Sequence, residues 1–97
     1  MIIPSTGKKS DTEFVYLVVG DKGTIYTGHA TDPRLAVHRH RTKEVPGQYD
    51  AKKLVYIGAL PNREAARKRT REIKGWTRKQ KIELINSSNP EWRNLAV

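Results

Sequence analysis

Cysteine is absent from this chain, so neither a disulfide nor a thiolate metal site contributes to its stability or chemistry. That absence suits a reducing compartment, and the cytoplasm is the expected location. No apolar run approaches membrane-spanning length, and the N-terminus has no signal-peptide core, which sets aside membrane partners. Internal repeats and low-complexity segments are missing as well. At 97 residues there is no room for a second domain, and a chain of this size buries about 60–65% of its unfolded surface. Acidic residues are also in short supply, ten Asp and Glu against nineteen Lys and Arg, a formal net charge of +9.

The excess charge is concentrated. From Asn62 to Lys81 there are nine basic residues (Arg63, Arg67, Lys68, Arg69, Arg71, Lys74, Arg78, Lys79 and Lys81) and two acidic ones (Glu64 and Glu72), a net +7 in one segment. A field of that sign attracts polyanions, and nucleic acid is the partner it favours over a merely solvated helix face.

Residues 1–12 hold Pro4, Gly7, Lys8, Lys9 and Ser10 and read as a flexible leader to a single domain over 13–97. Phe14 to Val19 is apolar on both faces, as a central strand should be, and Thr24 to Thr27 is a second, more alternating strand. Between them Gly20-Asp21-Lys22-Gly23 is hairpin turn chemistry. A three-residue loop with Gly23 in the left-handed region pairs Gly20 with Thr24, Val18 with Tyr26 and Tyr16 with Gly28. Tyr16 and Tyr26 then share a face as diagonal neighbours, roughly 7–8 Å apart at the backbone. A two-residue loop would separate them.

Thr31-Asp32-Pro33 starts a helix, with Thr31 or Asp32 as cap and Pro33 at the first helical position, running to about His40. Within it Arg34 and His38 are four apart and stack on one side. Arg41 to Asp50 is a polar connection, and Leu54-Val55-Tyr56-Ile57, within Lys52 to Leu60, completes a three-stranded sheet. Asn62 caps a second helix that Gly75 stops, Thr77 caps a third that carries Ile82, Leu84 and Ile85, and Asn89-Pro90-Glu91-Trp92 opens a terminal turn or short helix. The expected class is α+β, a small antiparallel sheet flanked by helices in the order β-β-α-β-α-α.

Val15-Tyr16-Leu17, with Phe14 in place of a glycine, and Tyr26-Thr27-Gly28 resemble the two namesake motifs of the GIY-YIG nuclease superfamily. Arg34-Leu35-Ala36-Val37-His38 looks like its arginine-bearing helix. Asn62-Arg63-Glu64-Ala65-Ala66 and Ile73-Lys74-Gly75-Trp76-Thr77-Arg78-Lys79-Gln80-Lys81 look like the small stand-alone bacterial members, close to the nuclease domain of the excision-repair incision subunit. The resemblance covers roughly Glu13 to Ile85.

It implies a DNA endonuclease in which a tyrosine and one divalent ion, Mg²⁺ or Mn²⁺, activate water and an arginine stabilises the transition state. Tyr16, Tyr26, Arg34 and His38 then take the catalytic positions, with His29 as an alternative lining residue. Arg39, Arg41, Arg67, Lys68, Arg71, Lys74, Arg78 and Lys79 would meet the phosphate backbone. The superfamily's metal-binding glutamate falls at Thr70, whose neutral hydroxyl is a poor ligand for a hard cation. Glu72 lies about 200° around the helix from it and Glu64 about 240°. A metal site from His29, His38 and His40 fits no familiar ligand spacing. The alternatives are a nucleic-acid-binding module that keeps the fold without the metal, and an RNA- or ribosome-associated adaptor stacking on Trp76 and Trp92, residues whose ordinary task is core packing.

Overall fold

The computed structural model describes residues 11–20, 22–41 and 53–96, with His40 and Arg41 described by their backbone alone. The leader and the 41–50 connection, apart from Asp11, Thr12 and the backbone of Arg41, lie outside the described residues. The elements are β1 (Glu13–Val19), β2 (Ile25–Ala30), α1 (Pro33–Arg41), β3 (Lys53–Leu60), α2 (Arg63–Lys74) and α3 (Arg78–Ser88). The sheet is antiparallel with strand order β2-β1-β3, so the apolar first strand is the central one.

The hairpin has the expected register: Val18 pairs with Tyr26 and Tyr16 with Gly28. Gly20 N–H donates to the Thr24 carbonyl at 3.0 Å, and Gly23 N–H donates to the Gly20 carbonyl at 3.0 Å. Gly23 has φ +81°, the left-handed conformation such a loop needs. β2 runs three residues beyond the expected Thr27, because Gly28, His29 and Ala30 continue the ladder opposite Tyr16, Val15 and Phe14.

Alternation along β1 divides the core between two faces. Val15, Leu17 and Val19 pack with Ile25, Val55, Ile73 and Ile85, with Trp76 and Trp92 against this cluster. Tyr16 and Val18 pack with Val37 and Leu54, with Tyr26, Leu95 and Ala96 against them. So α2 and α3 cover one face, while α1 and the C-terminal segment cover the other. A register shift on β3 opposite Leu17 and Val18 lets both Val55 and Tyr56 reach the first cluster.

The helix starts follow capping chemistry. Asp32 Oδ1 accepts from Leu35 N–H at 3.2 Å, Asn62 Oδ1 accepts from Ala65 N–H at 2.8 Å, and Thr77 forms a reciprocal capping box with Gln80. Gly75 ends α2 in right-handed geometry, its N–H donating to the Glu72 carbonyl at 3.1 Å while Trp76 N–H donates to the Ile73 carbonyl at 3.0 Å. The terminal segment is a turn, with Trp92 N–H donating to the Asn89 carbonyl at 2.9 Å and Trp92 at φ 55°.

Candidate nucleic-acid interface

A stripe of residues on α2 builds one wall of the site. Arg63, Arg67, Thr70, Arg71 and Lys74 recur at helical spacings of three and four, so they lie along one side of the helix. Ala66, Thr70 and Ile73 form the buried side, which seats the helix on the sheet and leaves the basic residues along its rim.

The opposite wall is the edge of the sheet. Tyr16, Gly28, His29, Arg67, Thr70, Arg71 and Lys74 line a cleft of about 480 Å³. Gly28 and His29 are consecutive and belong to opposite faces of the strand, so a cleft that both line opens at β2, an outer strand of the sheet among the described residues. Tyr16 reaches that edge by lying across Gly28, where a Cβ would stand 2.8 Å from the Tyr16 hydroxyl. Tyr16 is 5% exposed.

Thr70, 6% exposed, stands in this cleft, and its hydroxyl donates to the Ala66 carbonyl at 2.8 Å. Thr70 therefore lines the same cleft as Tyr16, with a hydroxyl already committed to the helix backbone. Glu64 is exposed, and exposed Glu72 pairs with Arg69 at 3.2 Å. Among the described residues no three His, Asp or Glu side chains gather as metal ligands do. The donor set does not fit a divalent ion of the kind the resemblance implies.

A pair not singled out from the sequence stands at the end of the cleft. Glu13, the first residue of β1 and 5% exposed, holds His29 Nδ1 at 2.6 Å through Oε2. Its other oxygen accepts from the Thr31 hydroxyl at 3.3 Å and faces Arg63 Nε at 3.6 Å. Burial pushes this carboxyl up, but the His29 hydrogen bond, the Arg63 and His29 charges and the Thr31 hydroxyl outweigh it and hold it below its ordinary value. The signal was available in the hairpin register. Pairing Tyr16 with Gly28 also pairs Val15 with His29, which places Glu13 diagonally across from His29 on the same face.

The other expected site residues are distributed. Tyr26 shares the Tyr16 face and packs against the same cluster, but it does not line the cleft. Arg34 is exposed on α1, and its Nε donates to the Leu95 carbonyl at 2.8 Å, tying it to the C-terminal segment. His38 and Arg39 are exposed on α1 and lie outside the cleft lining. The Arg41 side chain is outside the described residues. Lys68 and Arg71 flank Glu72 in a neighbouring surface depression. Lys79 is exposed on α3, while Arg78 Nη1 donates to the Gly23 carbonyl at 2.7 Å and fastens the hairpin turn to α3. Trp76 and Trp92 pack on the core, Trp76 with the Arg69 guanidinium 5.0 Å above its ring. No helix among the described residues is long and apolar enough to cross a membrane.

No protein-family model matches the chain. Curated proteins do: a UPF0213 protein of Staphylococcus aureus strain Mu3 is 35% identical over 78 residues, spanning 77% of this chain and 95% of that protein. The UPF0213 protein of strain Mu50 matches to the same extent. Among solved structures, the NMR structure of the UPF0213 protein BH0048 from Bacillus halodurans superposes with a TM-score of 0.55 at 25% identity, covering 86% of this chain and 92% of that one.

Proposed function

The chain belongs to the UPF0213 family, and from that premise and the geometry of the cleft we propose that it is a DNA-binding protein of the GIY-YIG type that grips the phosphate backbone. The observation that carries this reading is that Arg67, Arg71 and Lys74, aligned on one side of α2, line a cleft of about 480 Å³ together with Tyr16.

The cations supply charge and donors to the phosphoryl oxygens, the Arg side chains with a planar fork that matches two of them at once. Gly28 keeps the rim low by having no side chain, and the Tyr16 hydroxyl lies against it. Backbone contacts of this kind hold register without reading bases, so binding is tight at low salt and weakly selective for sequence.

Metal-dependent hydrolysis is the second reading, favoured by one observation. Thr70 shares the cleft with Tyr16, where the resemblance puts a metal-binding glutamate. The hydroxyl does not fit that role, so no step is assigned to a metal in the chain as it stands.

Both readings are tested together. Fluorescence anisotropy with labelled duplex DNA should give a log affinity that falls linearly with log salt, and Arg67→Ala with Arg71→Ala should flatten the slope by about two contacts at ~0.9 each. A slope unaffected by the double substitution would remove the cleft from the interface. Incubating duplex and branched DNA with Mg²⁺ or Mn²⁺ should give no nicking by this chain; nicking gained in Thr70→Glu would place the scaffold one carboxylate away from activity.

A further inference from the structure

The cleft holds three fixed cations and one titratable group that the backbone-gripping role does not use. His29 lines it with 27% of its side chain exposed, while Nδ1 is occupied by the buried Glu13 carboxylate. We propose that His29, held by Glu13, is a proton-gated phosphate-binding residue, which adds one positive charge and one N–H donor to the DNA cleft when protonated and neither when neutral. This rests on the phosphate-gripping function above.

The gating follows from which ring nitrogen is taken. A carboxylate only accepts, so Nδ1 carries the hydrogen in both charge states, and protonation changes the other nitrogen, Nε2. Nε2 is a bare acceptor in the neutral ring, which a phosphate oxygen repels, and a donor in the imidazolium, which a phosphate oxygen attracts. Glu13 is kept ionised by its partners, so the pair carries one negative charge with His29 neutral and none with His29 protonated. The cleft therefore gains a full unit of charge on proton uptake.

The neighbours set opposing influences. From α2, Arg63, Arg67, Arg71 and Lys74 bring positive charge to this side of the ring, and Arg63 at 3.6 Å offsets part of the Glu13 charge. From the sheet, Glu13 brings the opposite charge, and Tyr16 contributes a phenol. A bound phosphate offsets the α2 cations, so phosphate binding and proton uptake reinforce each other reciprocally.

The test uses the full chain and labelled duplex DNA, with anisotropy salt series at about pH 8 and about pH 5.5, on either side of the range in which imidazoles titrate. The parent protein should bind about fivefold or more tightly at the lower pH. Its salt slope should steepen there by ~0.9, one additional phosphate contact. His29→Gln should lose the acid gain and the steepening, and a variant that keeps both overturns the proposal while leaving the phosphate-gripping reading intact. Loss of salt-dependent binding at both pH values in the parent protein overturns that reading instead. A second measurement does not depend on the variant folding. The proton NMR titration of the His29 ring should move to higher pH when duplex DNA is added, and an unmoved midpoint overturns the proposal.

Discussion

Gly28 is fixed by the ring that lies across it. A Cβ there would stand 2.8 Å from the Tyr16 hydroxyl and 2.9 Å from Cζ, inside contact distance, and the ring is buried against Val18, Val37 and Leu54. Gly28→Ala must push the phenol out of its packed position, an overpacking cost of about 1–3 kcal/mol measurable by urea unfolding. DNA binding should weaken in the same variant, since the displaced ring lines the cleft. Glu13 supplies a second prediction at this scale. Its carboxyl is held below its ordinary value of 4.5 in the folded chain, so its contribution is complete above that value and is lost as pH falls through the depressed folded value. Thermal melts of the parent protein should therefore lose stability on acidification below 4.5. Glu13→Gln should start lower and show a flatter acid limb; an identical limb would mean that the carboxylate contributes nothing to acid sensitivity.

Between elements, the C-terminal turn is clamped by one buried amide. Asn89, 7% exposed, donates through Nδ2 to the Val55 and Arg93 carbonyls at 3.0 Å each and accepts from Arg93 N–H at 3.0 Å. Asn89→Ala removes this donor from the Val55 carbonyl and this acceptor from Arg93 N–H, a loss of about 1–3 kcal/mol in chemical denaturation. The segment it anchors also hydrogen-bonds to β3, with Leu95 N–H donating to the Leu54 carbonyl at 2.7 Å, and accepts from Arg34. This is where sequence reading stops short. Hairpin register, caps and helix stripes are local, fixed by turn length, side-chain oxygens and periodicity, so Tyr16, Gly28, Asn62, Thr77 and the α2 basic stripe were all legible. The partner of Arg34 lies 61 residues away. Spacing on α1 shows that Arg34 and His38 share a side, but not which returning segment that side meets. Glu13 and His29 were legible in principle, since the register that aligns the tyrosines aligns them too, but a polar residue opening a strand gives no local sign that it is buried.

At the scale of the molecule, the question is whether the field of a +9 chain or the placement of particular charges governs binding. Total charge sets long-range attraction and the rate of encounter, whereas the salt slope of affinity counts the phosphates neutralised in the complex. Two substitutions separate these effects. Arg71→Ala and Arg93→Ala each lower the formal charge to +8, but Arg71 lines the cleft while Arg93 is exposed on the C-terminal turn beside Glu91 at 2.8 Å. A diffuse field predicts equal and small effects. A cleft that seats a phosphate predicts that Arg71→Ala reduces the slope of log affinity against log salt by ~0.9 and that Arg93→Ala leaves the slope as it was. Equal slopes in the two variants would mean that DNA is held by the basic surface at large, and the alignment of Arg67, Arg71 and Lys74 along α2 would then be no more than the solvated side of a helix.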